Sequence, residues 1–176
     1  MARRLAVGRL RSGELLAGVG AAVLLVSLFL PWFGVDRDAV RRGSGWLAYA
    51  PIGLAADAWT SLGWLVLAIA AAAIAFVGWL VVATAAVRPV TQVVAADVLT
   101  STIGPIAFVS LALRALVFQP GPTELTTVRY GTWIGLAGAA LLAIGAWWSL
   151  ADERTDAPES AYVPPAPRPA PPAHSS

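Results

Sequence analysis

Four apolar stretches, at residues 15–30, 62–82, 90–118 and 133–150, divide this chain and leave only short connections between them. A membrane span needs about 20 predominantly apolar residues to cross a hydrocarbon core of roughly 30 Å. Inside that core the backbone must satisfy its own hydrogen bonds, so the choice is between helices and closed barrels. Runs of this length without period-two alternation predict helices. The remaining composition agrees. The chain has 176 residues, 58% hydrophobic and only 12% charged, where soluble domains carry roughly a quarter charged. The reading is an all-α membrane protein, a four-transmembrane-helix bundle over residues 13–150. Its helices are expected at about 14–31, 58–86, 90–118 and 131–150. A basic N-terminus (1–12) precedes the bundle and a tail (151–176) follows it.

Several chemistries are excluded by residue type. The chain has no cysteine, which removes disulfides, thiolate catalysis and cysteine metal sites. Every basic residue is Arg, so no lysine is present for a Schiff base. The single histidine, His174, lies near the C-terminus. The carboxylates Glu14, Asp57 and Asp97 show no paired spacing of the kind a nucleophile and base require. No enzyme activity, metal or cofactor is expected. The net charge of +2 is scattered rather than gathered on one face, which argues against nucleic acid.

Orientation follows from the arginines. Arg3, Arg4, Arg9 and Arg11 sit before the first apolar run, and such a cluster holds its flank in the cytoplasm. With Arg88 and Arg154, six lie near the inner side. Arg37, Arg41, Arg42 and Arg129 make four outside. A signal peptide also has a basic start and an apolar centre, but this run ends in 29–33 (FLPWF) with no small-residue cleavage site. The expected location is the cell inner (plasma) membrane, multi-pass, with both termini cytoplasmic.

Pro31 ends the first helix because it lacks a backbone N–H. Trp32 and Phe33 then fall at an expected aromatic belt. The polar connection 34–57 predicts a small outer cap with a short hairpin or helical turn, and Gly43-Ser44-Gly45 reads as a turn. Asp57 is placed to cap the second helix. Trp59 and Trp79 are about 30 Å apart along a helix, matching two bilayer interfaces, and Trp64 between them is expected against a neighbour. Tyr130 and Trp133 mark the outer interface, and Trp147 and Trp148 the inner one. Residues 86–89 form a connection short enough to force antiparallel neighbours. The proline-rich tail reads as disordered, with local polyproline II.

The third helix is the polar-marked span. Asp97 lies about 10 Å from its midpoint at Gly104, and Arg114 about 15 Å on the other side. Arg114 can snorkel to the outer interface. Thr100, Ser101 and Gly104 follow Asp97 at helical spacing and share its face. Pro105 removes one intrahelical bond. An ionisable residue inside a span is a functional candidate by default, so Asp97, Thr100, Ser101 and Arg114 form the candidate intramembrane polar site. Asp97 reads either as a hydrogen-bonded packing residue or as an ion- or partner-binding one. Small residues recur every four positions at Gly13, Ala17 and Ala21, at Gly18 and Ala22, and at Gly131, Gly135 and Ala139. Such faces let helices approach closely, within the chain or between copies.

Particular stretches resemble a group of small four-span actinobacterial integral membrane proteins to which no activity is attached. They are Gly13-Glu14-Leu15-Leu16, residues 28–34 (LFLPWFG), Ser44-Gly45-Trp46, Arg114 before a Pro-Gly loop, Val128-Arg129-Tyr130-Gly131 and Asp152-Glu153-Arg154. The resemblance covers residues 13–154 and implies a four-helix membrane fold. The long first outer loop with its Pro-Trp start is also similar in shape to tetraspan proteins such as the claudins, from which the absence of cysteine departs. The expected role is a structural or interaction component of the membrane. Its partners would be the lipid bilayer and either a second copy or another envelope membrane protein. The alternative is a small oligomeric transporter or channel using Asp97.

Overall fold

The computed structural model describes residues 10–35, 55–86, 90–120 and 126–155. The turn expected at Gly43-Ser44-Gly45, the arginines at 3, 4, 9, 37, 41, 42 and 88, and the tail from 156 lie outside them. Helix α1 spans Ser12–Ser27, strand β1 Pro31–Val35, strand β2 Ala55–Asp57 and short helix α2 Ala58–Ser61. Helix α3 spans Trp64–Ala85 and α4 Val90–Ala112, the latter continued by a π-helical turn over Leu113–Val117. Strand β3 (Thr126–Val128) and helix α5 (Tyr130–Thr155) complete the order. Three helical segments, Trp64–Ala85, Gln92–Val117 and Tyr130–Ala151, are long and apolar enough to cross a membrane.

The four long helices form a ring in which α1 touches α3, α3 touches α4, α4 touches α5, and α5 closes on α1 most extensively of all. That closest pair is built on glycine. A Cβ at Gly13 would meet the backbone of Ser149 at 2.5 Å, and one at Gly138 the backbone of Leu24 at 2.6 Å. A Cβ at Gly20 would meet the Gly138 carbonyl at 2.7 Å, and one at Gly145 the Gly13 carbonyl, also at 2.7 Å. The two helices therefore run antiparallel, with Gly13 opposite Gly145 and Gly20 opposite Gly138. The recurrence is every seven residues on both sides, the period of a left-handed helix pair. In lipid, this close backbone approach substitutes for the hydrophobic drive available in water.

A short sheet corrects the all-α expectation. Strands β2, β1 and β3, in that order, form an antiparallel sheet at one end of the ring. Phe33 pairs with Ala56 on one side and Val128 on the other, so the segments before α2 and before α5 feed the same sheet. A register irregularity falls between Pro31 and Phe33. It breaks the alternation that would place Trp32 and Phe33 on opposite faces, and both are buried. They are therefore core residues and not an aromatic belt. The Trp32 indole N–H donates to the Ser27 carbonyl at 2.7 Å, and its ring lies against Gly135. The Trp32 carbonyl accepts from Arg129 N–H at 2.8 Å and the Thr132 hydroxyl at 2.6 Å. These bonds tie the start of α5 to the sheet.

Other boundaries also differ. Helix α1 stops at Ser27 and a single further turn reaches Leu30, where the Leu30 N–H donates to Ser27 O at 3.0 Å. The second expected helix breaks at Leu62–Gly63 into α2 and α3. Asp57 caps α2, accepting from the Thr60 N–H at 3.0 Å, rather than the long helix. Trp64, expected against a neighbour, is 80% exposed at the start of α3. Helix α5 runs through Thr155, five residues past the expected end. The rings of Trp59, Trp79, Tyr130, Trp133, Trp147 and Trp148 are exposed, as membrane-interface aromatics are.

Candidate functional site

Asp97 is 1% exposed, on the face of α4 that also buries Ala96, Thr100, Ala107 and Leu111. Gly104 continues this face: a Cβ there would meet Leu142 and Ala143 of α5. That contact fixes the level of Asp97. Seven residues from Gly104 toward Asp97 cover about 10 Å, and seven residues from Leu142 along antiparallel α5 reach Ser149. Ser149 in turn lies against Gly13. Glu14, beside Gly13, accepts from the Thr84 hydroxyl of α3 at 2.9 Å. Glu14, Thr84, Asp97 and Ser149 thus share one layer near the end of the ring away from the sheet, each from a different helix.

Glu14 links two of these helices. It is only 4% exposed, and its second oxygen accepts from the Arg11 backbone N–H at 3.1 Å. One carboxylate therefore caps α1, where negative charge suits the helix dipole, and joins α1 to α3. Sequence reasoning did not include Glu14 or Thr84 in the polar site. The available signal was a Glu at the third position of a helix, facing the one hydroxyl near the end of an otherwise uniform α3.

The remaining expected residues separate. The Thr100 hydroxyl is buried and donates to Ala96 O at 2.7 Å within its own helix. Ser101 turns partway toward the surface and donates to Val98 O at 3.0 Å. Both hydroxyl protons are thus directed to the helix backbone, and Ser101 does not join the fully buried face. Arg114 sits in the π turn at the sheet end, about 25 Å along the helix from Asp97. One guanidinium nitrogen donates to Ser61 O at 2.8 Å and the other to Phe118 O. The cation therefore meets carbonyls at two helix ends, where positive charge is favoured, and fastens α2 to α4. Gly131 packs on the Pro31 carbonyl, Gly135 on Trp32 and Ser27, and Ala139 is buried. That face is occupied within the chain.

The four side chains of the layer are two carboxylates and two hydroxyls, oxygen groups that suit a proton or a hard cation, and Arg11, with a buried guanidinium nitrogen, lies one turn from Glu14. Among the described residues no three His, Cys, Asp or Glu side chains gather as a metal site. Toward the sheet the ring is filled by buried Leu24, Leu28, Leu111 and Leu142, then by Trp32 and Phe33. The buried hydroxyls at that end, Ser27, Ser61 and Thr132, donate to backbone carbonyls.

No family model, curated protein or solved structure matches this chain.

Proposed function

We propose that this protein is a non-enzymatic component of the cell inner membrane that works by association with itself or with another envelope membrane protein. In this reading α1 and its extra turn provide a fourth crossing. The basic N-terminus holds both termini in the cytoplasm, and the sheet forms an outer cap. The observation that carries the proposal is the filled interior. Large apolar side chains occupy the ring from the Glu14–Asp97 layer to the sheet, so a single chain presents surfaces rather than a pathway. The paired outer connections make a rigid platform at one end.

The test is a mild-detergent pull-down from the native membrane, with sizing of what is recovered. A stoichiometric second protein, or a homo-oligomer of fixed size, is the expected result. Solute movement by the purified protein alone in liposomes would overturn it. The burial of Asp97 favours one second reading, an oligomeric transporter or channel. Loss of a measured flux in Asp97→Asn, with folding retained, supports that alternative. Unchanged folding and flux remove it.

A further inference from the structure

An apolar groove runs along the outside of the ring where α1 meets α3. Gly18, Ala21 and Ala22 of α1 and Gly78 of α3 form its small-residue floor, and Leu25 and Ile74 close one end. Its volume is about 260 Å³. Its length follows from the helix register. A Cβ at Gly18 would meet Val81, and Glu14 meets Thr84, so residues on the two helices pair in antiparallel order and Leu25 stands opposite Ile74. From Gly18 to Leu25 is about 10 Å, parallel to the helix axes. The inner end begins roughly 6 Å, four residues, from the Glu14–Thr84 bond.

We infer that this groove seats one acyl chain of a membrane phospholipid, entering from the leaflet on the side of the polar layer. Three observations select that occupant. The lining carries no charged or hydrogen-bonding side chain, so a headgroup or a peptide backbone finds no partner there. The volume exceeds the roughly 150 Å³ apolar cavity that holds a benzene molecule, yet a slot about 10 Å long and about one helix diameter wide covers on the order of 100 Å², far short of the roughly 800 Å² per partner that a stable protein interface buries. The groove also runs along α3, a helix long and apolar enough to cross a membrane, and acyl chains lie alongside such a helix. Among the described residues no atom lies within 4 Å of where a Cβ at Gly78 would stand. This inference does not depend on the association proposed above.

The experiment is native mass spectrometry of the full chain released from detergent micelles, titrated with palmitoyl-oleoyl phosphatidylglycerol. Gly78→Leu and Ala22→Leu each fill the groove. Val109→Phe, at a position 51% exposed on α4, adds similar bulk elsewhere. Wild type and Val109→Phe are expected to retain one lipid per chain, and the two groove variants to bind it about tenfold more weakly. Equal retention in all four proteins overturns the inference. So does equal competition by dihexanoyl phosphatidylglycerol, which identifies a headgroup site. A wild-type dimer that Gly78→Leu dissociates also overturns it and assigns the groove to a second copy.

Discussion

Replacing Gly138 by alanine tests the close packing of α1 on α5. The added Cβ would sit 2.6 Å from Leu24 N, 3.0 Å from Gly20 O and 3.1 Å from Leu24 Cα. Ordinary contact begins near 3.4 Å, so the methyl intrudes by about 0.8 Å. All three atoms are backbone and none can rotate away, so α1 and α5 must separate. Overpacking of this kind typically costs about 1–3 kcal/mol. A gap of 0.5–1 Å forfeits a quarter to a half of each dispersion contact along the seam, which places the change at the upper end, about 3 kcal/mol. Alanine returns about 0.5–1 kcal/mol through helix propensity, leaving a net loss of about 2 kcal/mol. At 2–4 °C per kcal/mol for a chain of this size, the midpoint of thermal unfolding should fall about 4–8 °C. The assay is circular dichroism of purified protein in one detergent, with Gly78→Ala as the control. A Cβ at Gly78 meets nothing within 4 Å, so that variant should gain about 0.5–1 kcal/mol. Opposite signs are the expected outcome. Equal stabilisation by both substitutions would refute the close approach of α1 and α5.

Trp32→Phe should lower stability by about 0.5–1.5 kcal/mol, because it removes the indole bond to Ser27 O while the Leu30 N–H still donates to that carbonyl. Trp32→Ala should reach about 3–5 kcal/mol through the cavity it opens, so a ranking with Phe at or below Ala contradicts the placement. Glu14→Ala removes both the cap and the bond to Thr84 and should lose about 1–3 kcal/mol. Adding Thr84→Val to it should change little further, and additive losses in that double-mutant cycle would show the two side chains to be independent. Asp57→Ala removes the cap of α2 and should destabilise by about 1 kcal/mol, read as faster amide exchange at Thr60. Arg114→Gln should loosen the same segment from the other side by releasing Ser61 O, and unchanged exchange at residues 58–62 would exclude that link.

Sequence alone determined the solvent and the repertoire of this protein. Stretches near 20 residues long with almost no charge admit helices across a bilayer, and three described helices have the required length and apolarity. Chemical exclusions based on missing cysteine and lysine needed no structure. Local rules also placed the Asp57 cap and the exposed aromatic residues at the helix ends, because each depends on neighbours within a few positions. Tertiary structure decided what depends on residues far apart. The sheet joins β3 to β1 nearly a hundred positions away, and a slip in register buries two consecutive aromatics that a simple strand would separate. The partner of each glycine, and therefore the choice between contact within the chain and contact between copies, was set by which helix lay opposite. The seven-residue recurrence of glycine was present in both sequences but gained meaning only when α1 and α5 met. Asp97 was legible as a buried ionisable residue. The shared layer with Glu14, Thr84 and Ser149, and the separation from Arg114, came from the levels at which four helices stand beside one another, which no spacing within one helix contains.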